Sequence, residues 1–192
     1  MKDTFLKAKH WQIFLAIFIV PYSLRAIAMA ITKSNPEKTA EISPFIMVIF
    51  LLGLFGWLWS IATRLKEKIP AGVKMKMTKF KLLLFIPVIY IPVSFCLFDI
   101  VLDNLKNSPE APNIVLMVIS LAIMVPLHIL SIFGFLYSFY FVAKTCKTAE
   151  LQKEVKFSDF AGDFLLLLFF PIGVWVMQPK INKLSNNDAD QK

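Results

Sequence analysis

Two charged residues lie inside stretches that are otherwise apolar, Arg25 in the first stretch and Asp99 in the third. An ionisable side chain at such a depth costs at least about 2.5–3.5 kcal/mol on membrane-insertion scales, so it usually has a partner or a role. The two residues lie at similar depths from the same end of their stretches, which is compatible with a direct ion pair. The pair could belong to a gate or polar pathway. Alternatively, it could join two helices, or Arg25 could extend outward to the headgroups.

A second polar set lies in the fourth apolar stretch. Ser131 and Ser138 follow His128 at spacings of three and ten residues, and seven residues separate the two serines. Helical periodicity places residues at such spacings on one face, which could line a cavity or relay protons. In the alternative interpretation, the serine hydroxyls bond to their own helix and the histidine bonds to a neighbouring helix.

Two carboxylates, Asp159 and Asp163, are four residues apart before the last apolar stretch. On one helix face they could bind a cation or act as acid and base, but acidic residues near a helix N-terminus also interact favourably with the helix dipole. The sequence contains no zinc-protease motif, no phosphate-binding glycine loop and no nucleophile-elbow motif. We therefore predict no catalytic, cofactor-binding or metal site, and a protein that is not an enzyme.

The composition places these residues in a membrane protein. Hydrophobic residues make up 57% of the 192 residues and charged residues 18%, against about 45–50% and 25% in soluble proteins. The net charge of +8 could suggest a nucleic-acid partner, but no nucleic-acid-binding module is recognisable and we predict no such partner.

Four apolar stretches reach the length of about 20 residues that a membrane-spanning helix needs. In the second, Ser43 would cap the helix and Pro44 would occupy its first position. A cleaved signal peptide is the alternative for the first stretch, but Arg25 lies awkwardly close to the small-residue site at Ala28 to Ala30. The sequence thus predicts an all-α bundle in a single membrane domain over residues 1–184, with spans at about 11–31, 43–63, 82–102 and 113–143.

A fifth apolar stretch, residues 164–177, has only 14 residues and contains Pro171 and Gly173. A run of that length is more often re-entrant or interfacial than spanning. We therefore predict a C-terminal re-entrant or interfacial helix, with five spans as the alternative. The polar residues 185–192 are predicted to be a disordered tail.

The distribution of lysine and arginine predicts how the chain is oriented in the membrane, because positively charged loops resist translocation. One side of the predicted bundle carries fourteen basic residues and the other side three. The N-terminus should therefore be cytoplasmic. If the last apolar stretch is re-entrant, the C-terminus should be cytoplasmic as well. The basic loop could bind anionic lipid headgroups or a cytoplasmic protein; its residues are Arg64, Lys66, Lys68, Lys74, Lys76, Lys79 and Lys81.

The last third of the chain resembles the closing segment of small multi-pass membrane proteins of Bacteroidetes-type bacteria. The resemblance covers roughly forty residues and implies a bacterial inner membrane and an inner-side C-terminal element, but no activity. It rests on Ala143-Lys144-Thr145, Glu150-Leu151-Gln152, Phe157-Ser158-Asp159-Phe160-Ala161-Gly162-Asp163, Phe169-Phe170-Pro171-Ile172-Gly173-Val174-Trp175 and Gln178-Pro179-Lys180-Ile181-Asn182.

Two functions follow as hypotheses. In the first, a non-enzymatic inner-membrane protein forms or supports a pore or transport pathway, because several predicted spans contain ionisable residues and prolines. A homo-oligomer is one form of this hypothesis. In the second, an accessory or scaffold protein docks a cytoplasmic protein partner, in stress or defence against phage, because nearly all the charged surface lies on the cytoplasmic side.

Overall fold

The computed structural model describes residues 2–33, 35–107 and 113–186, and contains no strand within those ranges. We number its helices α1 to α7 in chain order. They are α1 (Lys2–Lys7), α2 (His10–Ile31), α3 (Pro36–Lys66), α4 (Met77–Asn107), α5 (Ile114–Leu151), α6 (Phe157–Leu168) and α7 (Phe170–Asn186).

Four of these helices are long and apolar enough to cross a membrane, namely α2, α3 from Glu41, α4 and α5. The shortest has 22 residues and is about 33 Å long, against about 30 Å of bilayer hydrocarbon. Only 11% of the most apolar part of α5 is buried inside the protein, as expected for side chains that face lipid. The prediction of an all-α bundle with four spans is confirmed.

The start of α3 differs from the prediction. The helix begins at Pro36, and the side chain of Asn35 caps it by accepting a hydrogen bond from the Lys38 amide at 3.2 Å. Pro44 lies inside the helix, and the Ser43 hydroxyl donates to the Thr39 carbonyl at 2.8 Å. The prediction of Ser43 as the N-cap was wrong, because Asn35 and Pro36 supply the same cap-and-proline pattern earlier in the chain.

The fifth apolar stretch forms two helices rather than the one that was predicted. The helical conformation breaks at Phe169, where ψ is 52°, and Pro171 lies in the first turn of α7. The Lys180 ammonium lies 2.7 Å from the Asp163 carboxylate, although 17 residues of continuous helix would separate them by about 25 Å. The chain therefore folds back and returns to the end from which it came, which agrees with the predicted re-entrant or interfacial element rather than with the alternative of five spans.

Basic residues cluster at the end of the bundle where α3 ends and α4 begins, which we call the basic end. Those in and beside this connection are Arg64, Lys66, Lys68, Lys74, Lys76, Lys79 and Lys81. There Lys68, in the segment after α3, donates to the carbonyls of Leu184 and Ser185 at the end of α7. Ser185 and Asn186 complete α7, and residues 187–192 of the predicted tail lie outside the described residues.

The hydrophobic core is concentrated in the half of the bundle near the basic end. Trp57 on α3 and Phe139 on α5 are fully buried there, and the rings of Phe80 and Phe141 stack at 4.6 Å. In the opposite half, α3 buries no side chain between Glu41 and Phe50, and α4 buries none after Tyr90. The spans are thus firmly packed at one end and leave space between them at the other.

A buried amide joins the two ends of the chain. The Gln178 side chain is fully buried, and its oxygen accepts a hydrogen bond from the Trp57 indole at 2.7 Å. Its nitrogen donates to the carbonyls of Phe5 at 2.8 Å and Ala8 at 3.0 Å, and Asn182 also donates to Ala8 at 3.0 Å. Gln178 thus satisfies carbonyls at the end of α1, which would be costly to bury without partners.

Candidate functional site

Arg25 and Asp99 form no ion pair within the described part of the chain. Both side chains are exposed on the surface of the bundle. The helices α2 and α4, which carry them, each pack against α3, and similar depth alone does not turn the two charged groups toward each other. The ion pair that their depths allowed is therefore absent from this structure.

Arg25 instead lines a groove that lies in the loosely packed half of the bundle. The groove encloses about 470 Å³ between α2, α3 and α4. Its lining residues are Phe18, Pro21, Tyr22 and Arg25 from α2, Ser43, Ile46, Met47 and Phe50 from α3, and Phe95 from α4. We call it the lateral groove.

The local sequence of α2 explains the shape of the lateral groove. A wide π-helical turn covers Leu15–Ile19, and Val20 separates it from Pro21. Such turns are frequent at functional sites. Gly53 lets α3 approach α2, since a Cβ there would lie 3.2 Å from the Ile17 side chain. The rings of Phe18 and Phe50 meet edge to face at 6.1 Å next to this contact and limit the groove on the side of the basic end.

The electrostatics of the lateral groove depend on one cation. Arg25 is the only charged residue among the nine that line it, and within the described residues its guanidinium has no hydrogen-bond or ion-pair partner. It lies six residues before the end of α2, which is about 9 Å along the helix axis. The groove therefore combines apolar walls with a guanidinium that is free to bind an anion.

On the polar face of α5, His128 contacts a neighbouring helix and Ser138 bonds to its own helix. The Tyr90 hydroxyl on α4 lies 3.2 Å from Nδ1 of His128. Ser138 is fully buried and donates to the Gly134 carbonyl of its own helix at 2.7 Å, and Ser131 is also buried. The residues that line the lateral groove do not include His128, Ser131 or Ser138.

The two carboxylates before the last apolar stretch make separate contacts. Asp159 accepts a hydrogen bond from the Lys156 amide at 2.8 Å and so caps α6. Asp163 accepts from Lys180, whose ammonium also lies 2.8 Å from Glu150. Within the described residues, no group of three or more His, Cys, Asp or Glu side chains could hold a metal ion.

Lys180 is the centre of this charge cluster. Burial lowers its pKa, but the hydrogen bonds and charges of Asp163 and Glu150 outweigh burial, and the net effect is a raised pKa. A raised lysine pKa stabilises the fold at every pH below the ordinary pKa of lysine. This stabilisation is lost as the pH rises through the pKa of the folded state. Lys180 therefore remains charged throughout the neutral range.

Residues of the predicted basic loop have distinct partners. Arg64 pairs with Glu67 at 2.9 Å, and the Lys81 ammonium lies 5.1 Å from the Trp59 ring centre. Lys66 is exposed at the end of α3, and Lys68 bonds to the end of α7 as described above. The other three residues line a second cavity; they are Lys74, Lys76 and Lys79.

Comparison with known proteins returned no match: no family model, curated protein or solved structure resembles this chain significantly.

Sequence reasoning missed Gln178 and the contribution of α4 to the lateral groove. Gln178 directly follows the apolar stretch that ends at Met177. This position could have indicated a buried amide, and a buried amide requires several hydrogen-bond partners. Phe95 carried no comparable signal, since nothing in an apolar run shows which of its residues will face a space between helices.

Proposed function

We propose that this chain is a non-enzymatic membrane protein that takes up an amphipathic anion from the bilayer into the lateral groove, as a step of a transport pathway. The observation that carries the proposal is Arg25, a cation that lies in a groove with apolar walls and has no partner among the residues that the structure describes. The proposal assigns no catalytic role to any residue.

The position of Arg25 favours an anionic ligand. A cation at lipid depth is costly without a counter-charge, and a bidentate contact with a carboxylate or phosphate would offset that cost. Tyr22 and Ser43 line the same groove, and their hydroxyl oxygens can accept or donate further hydrogen bonds to the headgroup.

The walls of the groove favour a ligand with an apolar tail. Ile46, Met47 and Phe95 supply aliphatic and aromatic surface on two helices. A volume of about 470 Å³ lies within the range of about 300–1,000 Å³ that is typical of small-molecule sites. Because the core fills the bundle near the basic end, we propose that the ligand enters sideways from the lipid.

The groove can be tested with a photoreactive fatty acid that carries a diazirine on its chain. We expect light-induced labelling of α2 and α3 peptides in the reconstituted protein. Arg25→Gln should lower the apparent affinity by about tenfold or more, because a hydrogen bond to a charged group contributes about 1.5–3 kcal/mol. Met47→Trp should also reduce labelling, since the larger side chain fills the groove without changing its charge.

Lys33→Asn is the matched control for the loss of charge. Lys33 is exposed at the same end of the bundle and has a φ of 52°, which asparagine tolerates. Equal labelling of the wild type, Arg25→Gln and Met47→Trp would contradict binding in the groove. The transport step requires that protein-containing vesicles exchange a fluorescent anionic lipid between leaflets faster than empty vesicles, and an unchanged rate would exclude it.

We further propose that the basic end faces the cytoplasm of a bacterial inner membrane, as the distribution of positive charge favours. A single cysteine introduced as Lys66→Cys in a chain without Cys96 and Cys146 should resist a membrane-impermeant thiol reagent applied to intact cells. It should react after the cells are opened. Labelling of intact cells would reverse the proposed orientation.

A further inference from the structure

A second cavity lies at the basic end, at the start of α4 and beside α5. It encloses about 280 Å³ and is separate from the lateral groove, since the two share no lining residue. We call it the lysine cavity. It is lined by Lys74, Met75, Lys76, Lys79, Tyr137, Tyr140, Phe141 and Lys144.

Four lysines line the lysine cavity, and its lining holds no carboxylate to balance their charge. Within the described residues, none of its four lysines takes part in an ion pair. Positive charges gathered around one concave space raise its potential and attract an anion.

The fold holds this arrangement in place without a ligand. The stacked rings of Phe80 and Phe141, 4.6 Å apart, fix the start of α4 against α5. The Lys79 ammonium lies 5.1 Å from the centre of the Tyr137 ring, a distance at which cation and ring attract each other. The helix frame of the cavity and the Lys79 side chain are therefore preorganised, which lowers the entropic cost of binding.

The surroundings of the cavity indicate a ligand that is part of the membrane. One turn from Lys79 along α4, Leu82 is 66% exposed, and one turn from Tyr137 along α5, Phe133 is 64% exposed. These spacings place each apolar residue on the same face as its neighbour at the cavity. Tyrosines are also enriched where the hydrocarbon meets the headgroups.

We infer that the lysine cavity binds the phosphate of an anionic phospholipid. The lysines and the tyrosine hydroxyls would surround the phosphate oxygens, and the acyl chains would extend from the cavity along Leu82 and Phe133. The volume is smaller than the typical range for drug-sized ligands, and it suits a headgroup better than a whole nucleotide.

The inference can be tested by titrating phosphatidylglycerol into the detergent-solubilised full chain and counting bound lipid by native mass spectrometry. We expect one saturable site in an Arg25→Gln background, in which the lateral groove lacks its cation. The combined variant Lys76→Gln, Lys79→Gln and Lys144→Gln should bind about 100-fold more weakly, because each basic residue near an anionic surface contributes about fivefold. Lys79→Arg keeps the charge and should retain binding.

The matched control removes three exposed lysines from the same end of the protein, as Lys66→Gln, Lys153→Gln and Lys183→Gln, and should retain the saturable site. Equal losses in both triple variants would overturn the inference, because the attraction would then be general. Inorganic phosphate or glycerol phosphate that bound as tightly as the lipid would also overturn it, in favour of a soluble ligand. All variants of this titration carry Arg25→Gln, so that loss of binding in the lysine cavity is distinguished from loss of binding in the lateral groove.

Discussion

Replacing Gly173 by alanine is expected to open the fold-back between α6 and α7. A Cβ at this position would overlap the carbonyl oxygen of Leu166 and lie 2.6 Å from its carbonyl carbon. Backbone atoms cannot move aside as a flexible side chain can, so we expect a loss of about 3 kcal/mol or more in the free energy of unfolding. Size-exclusion chromatography after heating in detergent should show a lower melting temperature.

Cys146 provides a local measurement of this opening. It is fully buried on α5, close enough to Asp163 and Lys180 to interact with their charges. In a Cys96→Ala background, Gly173→Ala should therefore make Cys146 react faster with a thiol reagent. Gly162→Ala is the control, since a Cβ there meets no atom within 4 Å and alanine favours a helix by about 1 kcal/mol. Unchanged melting and unchanged reactivity of Gly173→Ala would refute the predicted constraint.

The second large effect is expected from Gly134→Ala, at the most extensive helix contact of the bundle. The new Cβ would overlap the Leu83 carbonyl oxygen and lie 3.2 Å from Cδ of Pro87. Either α4 and α5 must separate or the backbone must distort, and we expect a cost of about 2–3 kcal/mol. The melting temperature measures this cost, and weaker phosphatidylglycerol binding should accompany it, because the same two helices frame the lysine cavity.

Gly53→Ala separates this effect from the general loss of a glycine. Its Cβ would lie 3.2 Å from Cγ1 of Ile17 and would overlap no backbone atom, so a shift of a few tenths of an ångström would relieve the contact and its cost should be clearly smaller. Equal melting temperatures for the two variants would show that α4 and α5 tolerate separation at Gly134.

The sequence was sufficient to predict the four spans and the clustering of basic residues, because both depend on composition over many residues. Membrane helices must be long and apolar whatever their neighbours are. The fold-back was only half predictable. The shortness of the stretch and its Pro171 indicated an interruption, but the break at Phe169 depends on the close contact between Gly173 and Leu166.

The partners of the polar residues could not be predicted, because they depend on the rotation and tilt of each helix. The depths of Arg25 and Asp99 were compatible with an ion pair, yet Arg25 lines the lateral groove. A charge pair between Glu150 and Lys153 fitted the local spacing equally well, but Glu150 contacts Lys147 and the distant Lys180. Local spacing limits which side chains can meet, and packing selects among them.

The hydrogen bonds of Gln178 also set an order of events during biosynthesis. The carbonyls of Phe5 and Ala8 emerge from the ribosome before any of the four spans, but the amides that satisfy them belong to Gln178 and Asn182, which follow the spans. All four spans must therefore be synthesised before α1 can dock in its final place. Formation of the basic end is a late step, which follows insertion of the spans and requires that translation has passed Asn182.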